Sequence, residues 1–150
     1  MRSWTGYVIN LADCPVLWKS RLQTEIALST MEAEYVALST SCRDLFPIID
    51  LTKEICSIFK MDIAINNTAD MHIRVHEDNV GALTLGKLEP RRTTPWSKHY
   101  AIKYHWFREH IGPCRVQLVH ISSNDQLGNL FTKGLSRVQF ARLGKKLNGW

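Results

Sequence analysis

The chain is poor in the features that usually announce a function. Its four cysteines, Cys14, Cys42, Cys56 and Cys114, are scattered, with no C-x-x-C pair among them. Structural zinc sites gather their ligands in close pairs, so this spacing argues against zinc and for buried free thiols. No apolar run approaches the roughly 20 residues that span a bilayer, and no membrane partner is expected. The first residues, Met1-Arg2-Ser3-Trp4-Thr5-Gly6, lack the apolar core of a signal peptide. A cytoplasmic or nuclear location is expected. A Gly-rich phosphate loop, a nucleophile–base–acid set, internal repeats and low-complexity tracts are all missing, which removes P-loop and triad chemistry from consideration.

What is present fits one domain. At 150 residues the chain is long enough to bury a core, and 45% hydrophobic with 22% charged residues is ordinary globular composition. The net charge of +5 is unevenly spread. Residues 1–75 hold 7 Lys/Arg against 9 Asp/Glu, a balance of −2; residues 76–150 hold 12 against 5, a balance of +7. A basic half suits a polyanion such as nucleic acid, and a solvated cationic surface explains the charge equally well.

Hydrophobic periodicity predicts the elements. Thr5–Leu11 and Val16–Lys19 alternate as strands, with Asp13-Cys14-Pro15 as the turn of a hairpin. Leu28, Met31, Tyr35, Leu38, Cys42, Leu45, Ile49, Cys56 and Phe59 step by threes and fours, a long helix that Pro47 should kink or split near Leu45-Phe46. Residues 61–70 read as a polar loop. Met71–His76 reads as a half-buried strand, Asn79–Lys87 as a short helix, and 89–95 as a basic loop bounded by prolines. Ser97–Ile111 suits a helix stopped by Gly112-Pro113, and Arg115–Ile121 alternates as a strand. Helices around Asp125–Phe131 and Arg137–Leu147 complete the pattern. The alternation of strands and helices predicts an α/β fold with a mixed sheet.

Two acidic motifs stand out, Ser29-Thr30-Met31-Glu32-Ala33-Glu34-Tyr35 and Glu77-Asp78-Asn79-Val80-Gly81-Ala82-Leu83. Carboxylates on two elements are what divalent metals and phosphodiester chemistry require. Ser29 and Glu32 form a capping box, which gives Glu32 a structural task. Glu34 has no such task and lies roughly 70° from the centre of the apolar stripe at about 100° per residue. It is either a solvated helix glutamate or a carboxylate aimed into a site beside the sheet. Asp78 is either the N-cap of the following helix or a metal ligand at a strand's C-terminal end. Glu77 reads as its solvated neighbour. Arg91, Arg92, Lys98, Lys103 and Arg108 interleave with Trp96, Tyr100, Tyr104 and Trp106, a mix that holds phosphates and stacks on bases, although helical spacing turns part of the aromatic set inward. His99, His105 and His110 are spaced by six and five, unlike ligands on one helix, and read as surface or substrate-facing.

In order along the chain, Ser3–Val8, Trp18–Thr24, Ala27–Leu38, Glu77–Leu83, Ser97–His99 with Lys103–Glu109, and Asn124–Lys133 resemble successive motifs of the ribonuclease H domain of copia-type retrotransposons. The resemblance covers about residues 3 to 135 and implies a ribonuclease H-like domain over 1–135 with a helical tail at 136–150. It implies a mixed five-stranded sheet flanked by helices, and hydrolysis of the RNA strand of an RNA/DNA hybrid with Mg2+ or Mn2+. Four carboxylates would hold two metal ions. The second falls on Glu34 and the third on Asp78. The resemblance also implies a neighbouring reverse transcriptase domain as partner, and a virus-like particle as the setting of the parent element.

The departures from the pattern matter as much. The family's first aspartate lies on a strand expected upstream of Met1, whose loss would leave a sheet edge unpaired. The fourth position is Asn129, a neutral amide. Ala101 and Trp96 replace a further aspartate and an arginine. Loss of a metal ligand commonly costs orders of magnitude in rate or affinity, so impaired hydrolysis is expected. The alternative is a non-catalytic nucleic-acid-binding or structural remnant.

Overall fold

The computed structural model describes residues 2–61, 71–89, 92 and 104–149. Strands β1 (Trp4–Leu11) and β2 (Cys14–Leu22) form an antiparallel hairpin. The turn is Ala12-Asp13, both with positive φ (49° and 62°), a mirror-image turn whose twist suits paired strands. Cys14 and Pro15 therefore begin β2 instead of forming the turn. On β1 the side chains alternate, with Thr5, Tyr7 and Ile9 buried.

Helix α1 (Thr30–Ile58) is continuous through Pro47, so the proline does not split the run. Proline removes one backbone hydrogen bond, but Cys42, Phe46 and Ile49 are buried in the core on both sides of it and hold the helix together. The cap at Ser29 is present: its hydroxyl accepts from the Glu32 amide at 3.1 Å. The returning arm of the box reaches one residue further, Glu32 accepting from the Leu28 amide at 2.7 Å. The ends of the sequence-assigned stripe fall outside the core, since Leu28 and Phe59 are 87% and 72% exposed.

Strands β3 (Ile73–Glu77) and β4 (Val116–His120) pair in parallel, Ile73 opposite Val116 and Glu77 opposite His120. Between them lie α2 (Val80–Gly86) and the short α3 (Arg108–Ile111). A 3-10 turn (Leu127–Phe131) and α4 (Arg137–Leu147) follow β4, with fully buried Leu143 anchoring α4. The α/β class is as expected. The mixed sheet, however, is divided: among the described residues β1 pairs with β2 and β3 with β4, and no ladder joins the two pairs. The core gathers Tyr35, Leu38, Cys42, Phe46 and Ile49 of α1 against α2, β4 and Phe107.

All four cysteines are free thiols. Cys42 and Cys56 are buried as expected, and burial pushes the Cys42 thiol up to about 12. Cys14 is exposed on the hairpin, contrary to expectation. The expected loop at 61–70 and the start of the helix at Ser97 lie largely outside the described residues. No helix among the described residues is long and apolar enough to cross a membrane.

Candidate metal centre

Helix α1 and strand β3 run so that the first turns of the helix meet the last residue of the strand. One carboxylate oxygen from each of Glu34, Glu77 and Asp78 lies within 4.8 Å of the others. The structure thus brings Glu34 and Asp78 together, and it adds Glu77. That residue is 5% exposed, so its reading as a solvated neighbour is wrong. The signal was in the alternation of β3: Ile73, Val75 and Glu77 share one face, and period two carries the glutamate inward with them.

The electrostatics are those of crowded, poorly solvated acids. Burial raises the Glu77 pKa to about 7, the Glu34 and Asp78 charges add to this, and backbone amides of Asn79 and Asp78 partly oppose it. Burial likewise raises Glu34, the Lys133 ammonium opposing and Asp78 reinforcing the shift. Each shift says that negative charge there lacks compensation.

Asp78 does not cap α2. That role belongs to Asn79, whose Oδ1 accepts from the Ala82 amide at 3.0 Å, and the Asn79 amide in turn donates to Glu77 Oε1 at 2.9 Å. Asp78 is thereby left for other partners. Ser123 donates its hydroxyl to Asp78 Oδ2 at 2.6 Å. Asn129, 5% exposed on the 3-10 turn, donates from Nδ2 to the Ser123 carbonyl at 2.8 Å. The degenerate fourth position thus reaches the cluster through Ser123, as a buried amide tied to backbone.

Gly6 of β1 lets this turn approach. A Cβ there would stand 2.5 Å from Thr132 Cγ2 and 2.8 Å from Phe131 Cβ. Ser20 of β2 holds the same segment, donating to the Phe131 carbonyl at 2.6 Å. On the far side of β1, Lys19 and Tyr7 both donate to Asp44 of α1, the lysine at 3.0 Å. Burial works against the Asp44 carboxylate, but these donors outweigh it and hold its pKa below the usual value.

The basic-aromatic stretch gives a mixed result. Arg91, Lys98 and Lys103, with Trp96, His99 and Tyr100, lie outside the described residues. Arg92 is exposed and 3.5 Å from Glu89. Arg108 is 4% exposed and donates to the Arg92 carbonyl at 2.9 Å, so it braces the chain and is not a surface phosphate ligand. Of the histidines expected at the surface or facing substrate, His110 is exposed, its ring against Phe46 and Trp106, while His105 is half-buried with Nδ1 hydrogen-bonded to the Tyr35 hydroxyl at 2.8 Å.

Three hard oxygen donors gathered where a strand ends against a helix are a donor set of the kind that could hold a divalent cation. Comparison with known proteins narrows this. The chain is 30% identical over 146 residues to the retrovirus-related Pol polyprotein from transposon RE2 of Arabidopsis thaliana, and 31% identical over 145 residues to that from transposon RE1 of the same plant. It is 28% identical over 148 residues to the corresponding polyprotein from transposon TNT 1-94 of Nicotiana tabacum. These matches cover 97–99% of the chain but only 9–10% of each relative, so the chain spans about a tenth of their length. It is homologous to a region of retrotransposon Pol polyproteins. No family model matches it, and no solved structure matches it.

Proposed function

We propose that this region is a ribonuclease H-like domain of transposon origin whose carboxylate cluster binds a divalent cation but whose hydrolysis of RNA in RNA/DNA hybrids is impaired. The observation that carries the reading is the convergence of Glu34, Glu77 and Asp78 within 4.8 Å. Three hard oxygen donors fit Mg2+ or Mn2+ and do not fit a soft metal. A bound dication supplies charge stabilisation to a phosphoryl group under attack.

The residues of this chain do the rest. Glu34 and Asp78 present carboxylates from two elements, Ser123 orients Asp78, and Lys133 offsets charge beside Glu34. Glu77, whose carboxyl burial raises to about 7, is the member of the cluster able to hold or release a proton near neutral pH. Impairment follows from Asn129. A neutral amide spending its Nδ2 on the Ser123 carbonyl supplies no charge to a second dication. A single well-held cation leaves either the entering or the departing oxygen without its clamp.

The test is cleavage of a labelled RNA/DNA hybrid with Mg2+ and with Mn2+, beside Glu34→Gln, together with calorimetric titration of Mn2+. Mn2+ binding weakened by the substitution, with cleavage far below that of an intact ribonuclease H, is expected. Robust cleavage abolished by Glu34→Gln would overturn the impairment, and an unchanged titration would overturn the metal centre. A second reading, nucleic-acid binding without catalysis, draws on the +7 balance of residues 76–150. It expects hybrid affinity that falls steeply with salt.

A further inference from the structure

Periodicity gives residues 136–150 no task beyond a helical tail, yet α4 is tied to the segment that carries Ser123. Its apolar anchoring is slight, since Leu143 is buried but Val138 and Phe140 are exposed. Its polar anchoring is specific. Nη2 of Arg142 donates both to the Asn124 carbonyl and, at 3.2 Å, to Asp125 Oδ1. Lys146 lies one helical turn further on the same face, with Nζ 3.7 Å from the same Oδ1. The Asp125 amide donates to the Ser122 carbonyl at 2.8 Å, which closes residues 122–125 into a turn. Both ends of that turn are fastened to β3. The Ile121 amide donates to the Glu77 carbonyl at 3.1 Å, and Gln126 Nε2 donates to the His76 carbonyl at 2.9 Å. Between these two points Ser123 reaches Asp78, while α4 grips Asn124 and Asp125.

On the reading that Glu34, Glu77 and Asp78 hold a cation, we infer that Arg142, seconded by Lys146, is a positioning residue for that site. It acts at second hand: α4 holds the turn, the turn places Ser123, and Ser123 orients the Asp78 carboxylate. Exposed ion pairs are individually weak. Here, however, three contacts brace one short turn whose ends are already fixed, and one of the three is to a backbone carbonyl. A ligand whose orienting group drifts loses affinity for its metal. The sign of the effect separates this role from a simple field effect. Arg142 and Lys146 are cations, so their charge opposes a dication. Acting through charge alone, removal of either would tighten cation binding; acting through the turn, removal weakens it.

The experiment is a double-mutant cycle on the full chain, with Mn2+ affinity measured calorimetrically for Arg142→Ala, Ser123→Ala and the pair. Arg142→Ala alone is expected to weaken Mn2+ binding about fivefold. In the Ser123→Ala background it is expected to cost nothing further, because both substitutions cut the same path. Unchanged or tighter binding by Arg142→Ala would overturn the inference, as would losses that simply add. Lys146→Ala serves as the second variant should the first lose its helical circular dichroism, and it is expected to weaken binding in the same direction. Amide hydrogen exchange in chelator supplies a readout that needs no metal. There Arg142→Ala is expected to speed exchange of the Asp125 amide about fivefold while leaving β1 and β2 unchanged. Unchanged exchange at Asp125 would sink the latch by itself. A parent chain that binds no Mn2+ would overturn the metal centre instead, with exchange still deciding whether α4 holds the turn.

Discussion

Ser123 donates its hydroxyl to Asp78 at 2.6 Å across 45 positions of sequence, and the carbonyl of the same serine accepts from Asn129. One residue therefore ties the carboxylate after β3 to the degenerate position on the 3-10 turn. Ser123→Ala should leave the fold intact, because the bond is exposed, but free the Asp78 carboxylate to rotate. Calorimetric titration should show Mn2+ affinity reduced about 10–100-fold, the usual effect of losing a group that orients a ligand.

Restoring a carboxylate at the fourth position should not be free of cost. Asn129→Asp replaces a donor with an anion facing the Ser123 carbonyl in a buried setting. Without metal, thermal denaturation should show a loss on the order of 1–3 kcal/mol. Added Mn2+ should recover part of it. A variant as stable as the parent in chelator would show that the amide's bond is dispensable.

The shift on Glu77 makes stability depend on pH in a stated direction. A carboxyl whose pKa rises from 4.5 unfolded to about 7 folded binds more protons in the folded state between those values. In chelator, stability should therefore fall as pH climbs from about 4.5 to about 7 and level off above, by on the order of 3 kcal/mol. Glu77→Gln should flatten that decline and raise the melting temperature at pH 8. Urea denaturation across the range would measure both.

Gly6 faces the segment that carries Asn129. Gly6→Ala would set a methyl 2.5 Å from Thr132 Cγ2 and force the segment outward. Overpacking of this kind costs about 1–3 kcal/mol. Metal affinity should fall as well, because Ser123 and Asn129 move with the turn. Chemical denaturation and Mn2+ titration together would check this.

Much of the architecture was legible along the chain because the signals are local. The Ser29 cap, the buried α1 residues from Tyr35 to Cys56 and the bounds of α4 at Arg137–Leu147 follow from three- and four-residue periodicity and capping chemistry. Local rules failed where tertiary packing outvoted them. Pro47 remained inside a helix because the core grips both flanks, and Arg108 turned inward to hold the Arg92 carbonyl. Glu77 lay between these cases: its place on the Ile73–Val75 face was readable, but glutamate at a strand end is ordinarily solvated.

The sequence by itself determined the α/β class, the hairpin, the long capped helix and the pairing of Glu34 with Asp78 as candidates, since each is set by neighbours within a few residues or by ordered motifs. Only the tertiary structure decided that Glu77 completes the cluster, that Ser123 links Asp78 to Asn129, and that β1 and β3 line one cleft. Those relationships join residues tens of positions apart. They are fixed by how α1 packs against two separate strand pairs, which no local periodicity encodes.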